Sequence, residues 1–169
     1  MKRTVELGFL LAVALILSYV ESLIPFTFGI PGIKLGLPNL IVLLLLYSAR
    51  IPAKGAREAL LVNGLRIVLS GFLFGSLYSI LYAFAGALFS FTVMVTARRC
   101  RCFSMVGVSV LGGVFHNIGQ TVVAMFVVET FAVLYYLPVL LVAGVMTGAV
   151  LGIAGMEVLP YFRQHIEAK

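Results

Sequence analysis

The feature that most constrains this chain is a series of apolar runs, most of them near the roughly 20 residues that carry a helix across the hydrocarbon core of a bilayer. They fall at about residues 5–24, 59–74, 77–97, 105–128 and 132–159, with a shorter one at 38–49. Of the 169 residues, 62% are hydrophobic and 11% charged, too little polar surface to coat a soluble domain. The mean hydropathy is +1.16. The expectation is an all-α integral membrane protein with six transmembrane helices, a single membrane domain over residues 1–169. No polar stretch is long enough for a soluble catalytic domain. Met1-Lys2-Arg3 ahead of an apolar run imitates a signal peptide, but Ala12-Val13-Ala14 lies inside the run, too early for a processing site. The run continues far enough to span.

Charge fixes the orientation. Lys2, Arg3, Arg50, Lys54, Arg57, Arg98, Arg99, Arg101, Arg163 and Lys169 share one side of a six-span arrangement, so only Lys34 and Arg66 of the 12 basic residues are left over. Positive residues collect on the cytoplasmic side, so both termini are expected there, in the cell membrane. The net charge of +6 is therefore topogenic. It can attract anionic lipid and is no argument for nucleic acid. Cys100 and Cys102 are too few and too close for a disulfide framework. They read as reduced cytoplasmic thiols, with a metal site or lipidation as the alternatives.

One run carries a polar face. In Gly112-Gly113-Val114-Phe115-His116-Asn117-Ile118-Gly119-Gln120, helical periodicity puts Gly112, His116 and Gln120 on one stripe, with Gly113 and Asn117 beside it. Polar groups at that depth are costly unless paired or facing a cavity. The face either lines a ligand site or bonds neighbouring helices. Arg66 is the sharpest single signal, a guanidinium well inside an apolar run, with Asn63 and Ser70 on its face. It needs an anion or many acceptors. The candidates are Glu21 or Glu129 within the protein, or a ligand carboxylate or phosphate that fits its planar fork. Arg66 and His116 fall at similar depth and are expected to look at one cavity. Tyr78 and Tyr82, on a four-residue stripe with Gly86 and Ser90, either pack or contact a ligand. Gly144, Gly148 and Gly152 read as a close helix contact.

Catalysis finds little support. The acids are six, all glutamate, so the aspartate-rich motifs that hold magnesium on a diphosphate are missing. His116 beside Asn117 does not make a metal site, and no ATP-binding motif occurs. The reading is of no enzyme, no catalytic residue, no metal and no cofactor. Between Pro25 and Asn39, three prolines and three glycines exclude a regular helix in a stretch that stays apolar. Such a loop is expected to fold as a packed plug or lid.

Two sets of residues resemble known proteins. Pro25-Phe26 through Gly32-Ile33-Lys34-Leu35-Gly36-Leu37-Pro38-Asn39-Leu40, with the short run after it, is similar to the first loop and second helix of substrate-binding (S) components of energy-coupling factor (ECF) transporters. Asn63-Gly64-Leu65-Arg66, Gly71-Phe72-Leu73-Phe74-Gly75 and His116-Asn117-Ile118-Gly119-Gln120 resemble a narrower group, described as Gx transporter or heptaprenyl diphosphate synthase component I. The likeness covers about residues 7–155. It implies six helices, a ligand pocket toward the outside and a first loop that closes it. It also implies a membrane coupling protein and two ATPases as partners, docked on the small-residue face of the first helix at Gly8 and Ala12. The expected ligand-binding set is Arg66, His116, Asn117, Gln120, Asn63, Asn39 and Tyr82. The expected function is capture of a small anionic, vitamin-like or quinone- or isoprenoid-precursor molecule as an ECF S component. The alternative is a non-catalytic membrane subunit of polyprenyl or quinone metabolism, or of membrane electron transfer.

Overall fold

The computed structural model describes residues 2–23, 35–48 and 52–167, and everything described is helix, turn or short connection. The expected plug between Pro25 and Asn39 lies outside the described residues as far as Lys34. Six α-helices follow in order: α1 Lys2–Leu23, α2 Asn39–Ser48, α3 Pro52–Phe74, α4 Leu77–Cys100, α5 Met105–Val128 and α6 Leu137–Glu167. A 3₁₀ turn, Phe131–Tyr136, leads into α6. Four segments are long and apolar enough to cross a membrane: Arg3–Leu23, Leu77–Cys100, Met105–Val128 and Phe131–Gln164. Large apolar side chains such as Phe9, Phe72, Leu77 and Phe126 point away from the protein. Exposed apolar surface on this scale belongs against lipid, so this is a membrane protein.

Local chemistry sets the helix ends. Ser76 caps α4, and its side chain and that of Ser79 satisfy each other's backbone N–H. Arg98 and Arg99 in the last turn offset the negative end of the helix dipole, and Arg101 closes it in the left-handed region at φ 54°. Ser104 caps α5 through the Gly107 N–H, and Glu129 ends it at φ 51°. Two helices extend past their apolar runs. The basic stretch Arg50 to Glu58, ahead of the apolar run at 59–74, is already helical from Pro52. Proline suits a first helical position because that N–H has no partner within the helix in any case. The polar stretch from Arg163 onward, beyond the last apolar run, is helical to Glu167, with Pro160 inside the helix.

The helices gather in two groups. α5 packs along both α4 and α6, while α3 packs on α1 and α2. The groups meet where α2 touches α6 and α3 touches α4. α2 lies deepest, with Ile41 through Leu46 and Ser48 all buried, as suits a short helix that is apolar all round. Glycine brings α5 and α6 into backbone contact. A Cβ at Gly148 would stand 2.7 Å from Val110 Cα, and one at Gly152 2.7 Å from Val106 Cα. One end of the molecule is tied by arginine. Arg3 forks onto buried Glu58 and reaches Glu6. Arg163 Nη2 donates to the Tyr47 carbonyl (2.8 Å), and Arg98 lies 5.0 Å from the centre of the Tyr47 ring. The start of α1, the end of α2, the start of α3 and the ends of α4 and α6 therefore share this basic end.

Candidate functional site

Between the two helix groups lies a cavity of about 70 Å³. α3 contributes Arg66, and α5 contributes Gly112, His116, Asn117 and Gln120. Glu21 of α1 and Gly36 and Asn39 at the entry to α2 line it as well, and Thr147 and Gly148 of α6 close it. The entry to α2 is shaped by Gly36, whose φ of 71° is the left-handed region that glycine enters without strain. Its carbonyl accepts from Asn39 N–H (2.8 Å), and its own N–H donates to Glu21 Oε1 (2.5 Å). That bond joins α1 to α2 at the cavity's edge.

Arg66 is held from one side by neutral acceptors. Its Nε and Nη2 donate to Asn63 Oδ1 at 3.2 and 2.7 Å, and its Nη1 to Ser18 Oγ at 3.4 Å. Ser18 in turn donates to Ala14 O (2.9 Å), which leaves its oxygen free to accept. Asn63 and Ser18 are themselves buried. A guanidinium has five N–H donors, and two small acceptors do not exhaust them. Glu21 faces the same cavity and attracts Arg66 electrostatically, without a direct contact among the described ion pairs. Glu129 is exposed at the end of α5 and does not line the cavity.

The α5 face divides its labour. The Gln120 amide nitrogen lies 2.9 Å from His116 Nε2. The two side chains are hydrogen-bonded to each other one helical turn apart, with the direction set by the imidazole tautomer. Asn117 Nδ2 donates across to Leu140 O in α6 (2.5 Å), so this residue bonds two helices while lining the cavity. α4 can approach the pair because residue 86 is glycine; a Cβ there would stand 2.8 Å from both Gln120 Cγ and His116 O.

Of the residues read from the sequence, Arg66, His116, Asn117, Gln120 and Asn39 come together around one cavity. Asn63 stands behind Arg66 as its acceptor rather than on the wall. Tyr82 is elsewhere, with Tyr78 and Tyr136 in a second cavity of about 520 Å³ between α4, α5 and the 3₁₀ turn, where only Gln120 is shared with the first. The sequence reading missed Ser18 and Gly36. Ser18 lies three residues before Glu21 on one helical face, so its company with that acid was readable from spacing. A volume near 70 Å³ holds a few waters or one compact charged group. It is well below the roughly 300–1,000 Å³ of a site that encloses a whole small molecule.

Residues 10–158 match the family model described as heptaprenyl diphosphate synthase component I. No curated protein and no solved structure matches the chain.

Proposed function

The chain belongs to the heptaprenyl diphosphate synthase component I family, and on that premise we propose that it is a non-catalytic membrane subunit of polyprenyl or quinone metabolism that holds a small anionic group at Arg66. A component I implies a second component, and catalysis is assigned there. The absence of aspartate supports that division, since the usual diphosphate chemistry needs carboxylate-held magnesium.

The observation that carries the binding role is Arg66 itself. Placing a guanidinium inside a membrane helix costs at least about 2.5–3.5 kcal/mol. Its direct partners are neutral Asn63 and Ser18, and Glu21 of the same cavity acts on it electrostatically without a direct bond. An anion seated between Arg66 and the His116, Asn117 and Gln120 face adds negative charge to that of Glu21 and uses the donors that Asn63 and Ser18 leave over. The cavity suits the charged head of a ligand, with the remainder extending past its walls. In this reading six helices cross the cell membrane and both termini are cytoplasmic.

Native mass spectrometry of the protein, purified in mild detergent from its own membranes, tests this. Wild type should carry a small anionic species that Arg66→Met lacks while remaining folded. Equal loading of the two proteins would remove Arg66 from the site.

A second reading is the ECF S component, a substrate-capture subunit served by a coupling protein and two ATPases. One observation favours it: Gly8 and Ala12 lie on an exposed face of α1, with nothing within 4 Å of a Cβ built at Gly8. Affinity purification separates the two. A soluble synthase subunit in the eluate supports the first reading, and paired ATPases support the second.

A further inference from the structure

The ends of α2, α3, α4 and α6 enclose a recess of about 470 Å³ at the basic end of the molecule. Arg98, Arg99, Arg101 and Arg163 line it together with Tyr47. We propose that this recess binds a phosphate group, either on the headgroup of a membrane amphiphile or free in solution. The proposal is independent of the Arg66 cavity.

Topogenic charge alone does not require this arrangement. The positive-inside tendency is met by basic residues anywhere on the correct side. Arg3, at the same end, is already neutralised by Glu58 and Glu6. The four recess arginines converge instead on one concave surface, and no described carboxylate lines it. Two of them are held in place before any ligand arrives. Arg98 stacks on the Tyr47 ring at 5.0 Å, and Arg163 donates through Nη2 to the Tyr47 carbonyl at 2.8 Å. Neither contact exhausts the donors of its guanidinium. Repulsion among four cations falls when an anion of high charge density enters, and a phosphate offers several oxygens to several forks at once. One wall is apolar, with Leu46, Val95 and Phe103, so a phosphate carried on a hydrocarbon stem fits as well as a free one. Basic pockets between membrane helices are a known physical basis for headgroup capture.

The test uses the full chain in detergent and in lipid nanodiscs. Thermal unfolding is followed during titration with inorganic phosphate, and separately in nanodiscs of phosphatidylcholine with and without phosphatidylglycerol. Stabilisation by either probe is expected. It should weaken by about tenfold or more in apparent affinity in Arg98→Gln/Arg163→Gln. Because those two arginines also brace Tyr47, Arg99→Gln/Arg101→Gln is measured beside it and should show the same direction with the resting stability kept. Lys54→Gln/Arg57→Gln, exposed positions at the same end but outside the recess, should respond as wild type. A response to phosphatidylglycerol alone identifies a lipid headgroup, and one to inorganic phosphate a soluble ligand. No response to either probe, or equal loss in Lys54→Gln/Arg57→Gln, would overturn the proposal, the second by reducing the effect to diffuse charge.

Discussion

Asn63 and Arg66 act as one unit, with an amide oxygen that takes two of the guanidinium's hydrogen bonds inside the bundle. Removing either half has unequal consequences. Asn63→Ala leaves a buried cation with Ser18 as its direct acceptor and should cost about 1–3 kcal/mol. Arg66→Met leaves behind a neutral amide and a Glu21 carboxylate that keeps its bond from the Gly36 N–H, and should cost less. The double variant should therefore be more stable than Asn63→Ala alone, and thermal unfolding in one detergent reads the cycle. An Asn63→Ala protein as stable as wild type would mean that water replaces the amide at no cost. Much of this site was legible in the sequence, because an arginine, a histidine and two amides are conspicuous in apolar runs. The choice of partners was harder to read. Glu129 and Glu21 looked equally available to Arg66, and only the packing of α1 beside α3 puts Glu21 and Ser18 at the cavity. Tyr82 shares a stripe with Gly86, yet a stripe does not say which neighbour it meets at each turn. Gly86 faces α5, while Tyr82 opens onto the second cavity.

Among the helices, the α5–α6 seam is the most sensitive to a single added atom. A Cβ at Gly148 would lie 2.7 Å from Val110 Cα and 2.8 Å from Ser109 O, both backbone atoms of a helix that cannot rotate aside. Gly148→Ala should force the helices apart at a cost of about 1–3 kcal/mol, seen as a lower midpoint of thermal unfolding. Gly8→Ala is the control, since a Cβ there meets nothing within 4 Å, and it should be neutral or slightly stabilising. The seam was readable because three glycines repeat at helical spacing. The start of α3 was not, since a lysine, two arginines and a glycine between 50 and 58 resemble a solvated turn. Burial of Glu58 against Arg3 supplies the tertiary contact that local composition does not reveal. On α1, two pairs of small residues at four-residue spacing face opposite ways: Ala14 and Ser18 are buried, and Gly8 and Ala12 are exposed. If the outer pair receives a coupling protein, Ala12→Trp should abolish co-purification of that protein and leave the mass of any bound ligand unchanged. Survival of the complex would place docking on another face.

At the scale of the whole molecule, α2 and α3 are set apart from the other helices by how they can sit in a membrane. Four segments meet the length and hydropathy needed to cross, and neither of these helices is among them. α2 has 10 residues, about 15 Å of helix against a hydrocarbon core of about 30 Å. α3 is long enough but carries Lys54, Arg57, Glu58 and Arg66. Two topologies follow. In one, all six helices cross; in the other, α2 and α3 form a hairpin that returns to the side from which it entered. Both put the end of α4 and the turn before α6 on opposite sides. They differ in the α2–α3 connection. Tyr47 at the end of α2 lies against Arg98 and Arg163, near the ends of α4 and α6, while Glu58 at the start of α3 holds Arg3. Those contacts favour six crossings, with the connection on the basic side. Cysteine accessibility decides the matter. Cys100 and Cys102 are free and exposed, so each can be labelled in the wild type, and both are replaced by serine before a new site is introduced. A membrane-impermeant maleimide should reach Cys100, Cys102 and Lys54→Cys in inside-out vesicles only. Tyr135→Cys, at 86% exposure ahead of α6, should react in right-side-out vesicles only. Labelling of Lys54→Cys from the same side as Tyr135→Cys would leave four crossings and a re-entrant hairpin, with the recess arginines at the ends of α4 and α6 still on the side of Cys100.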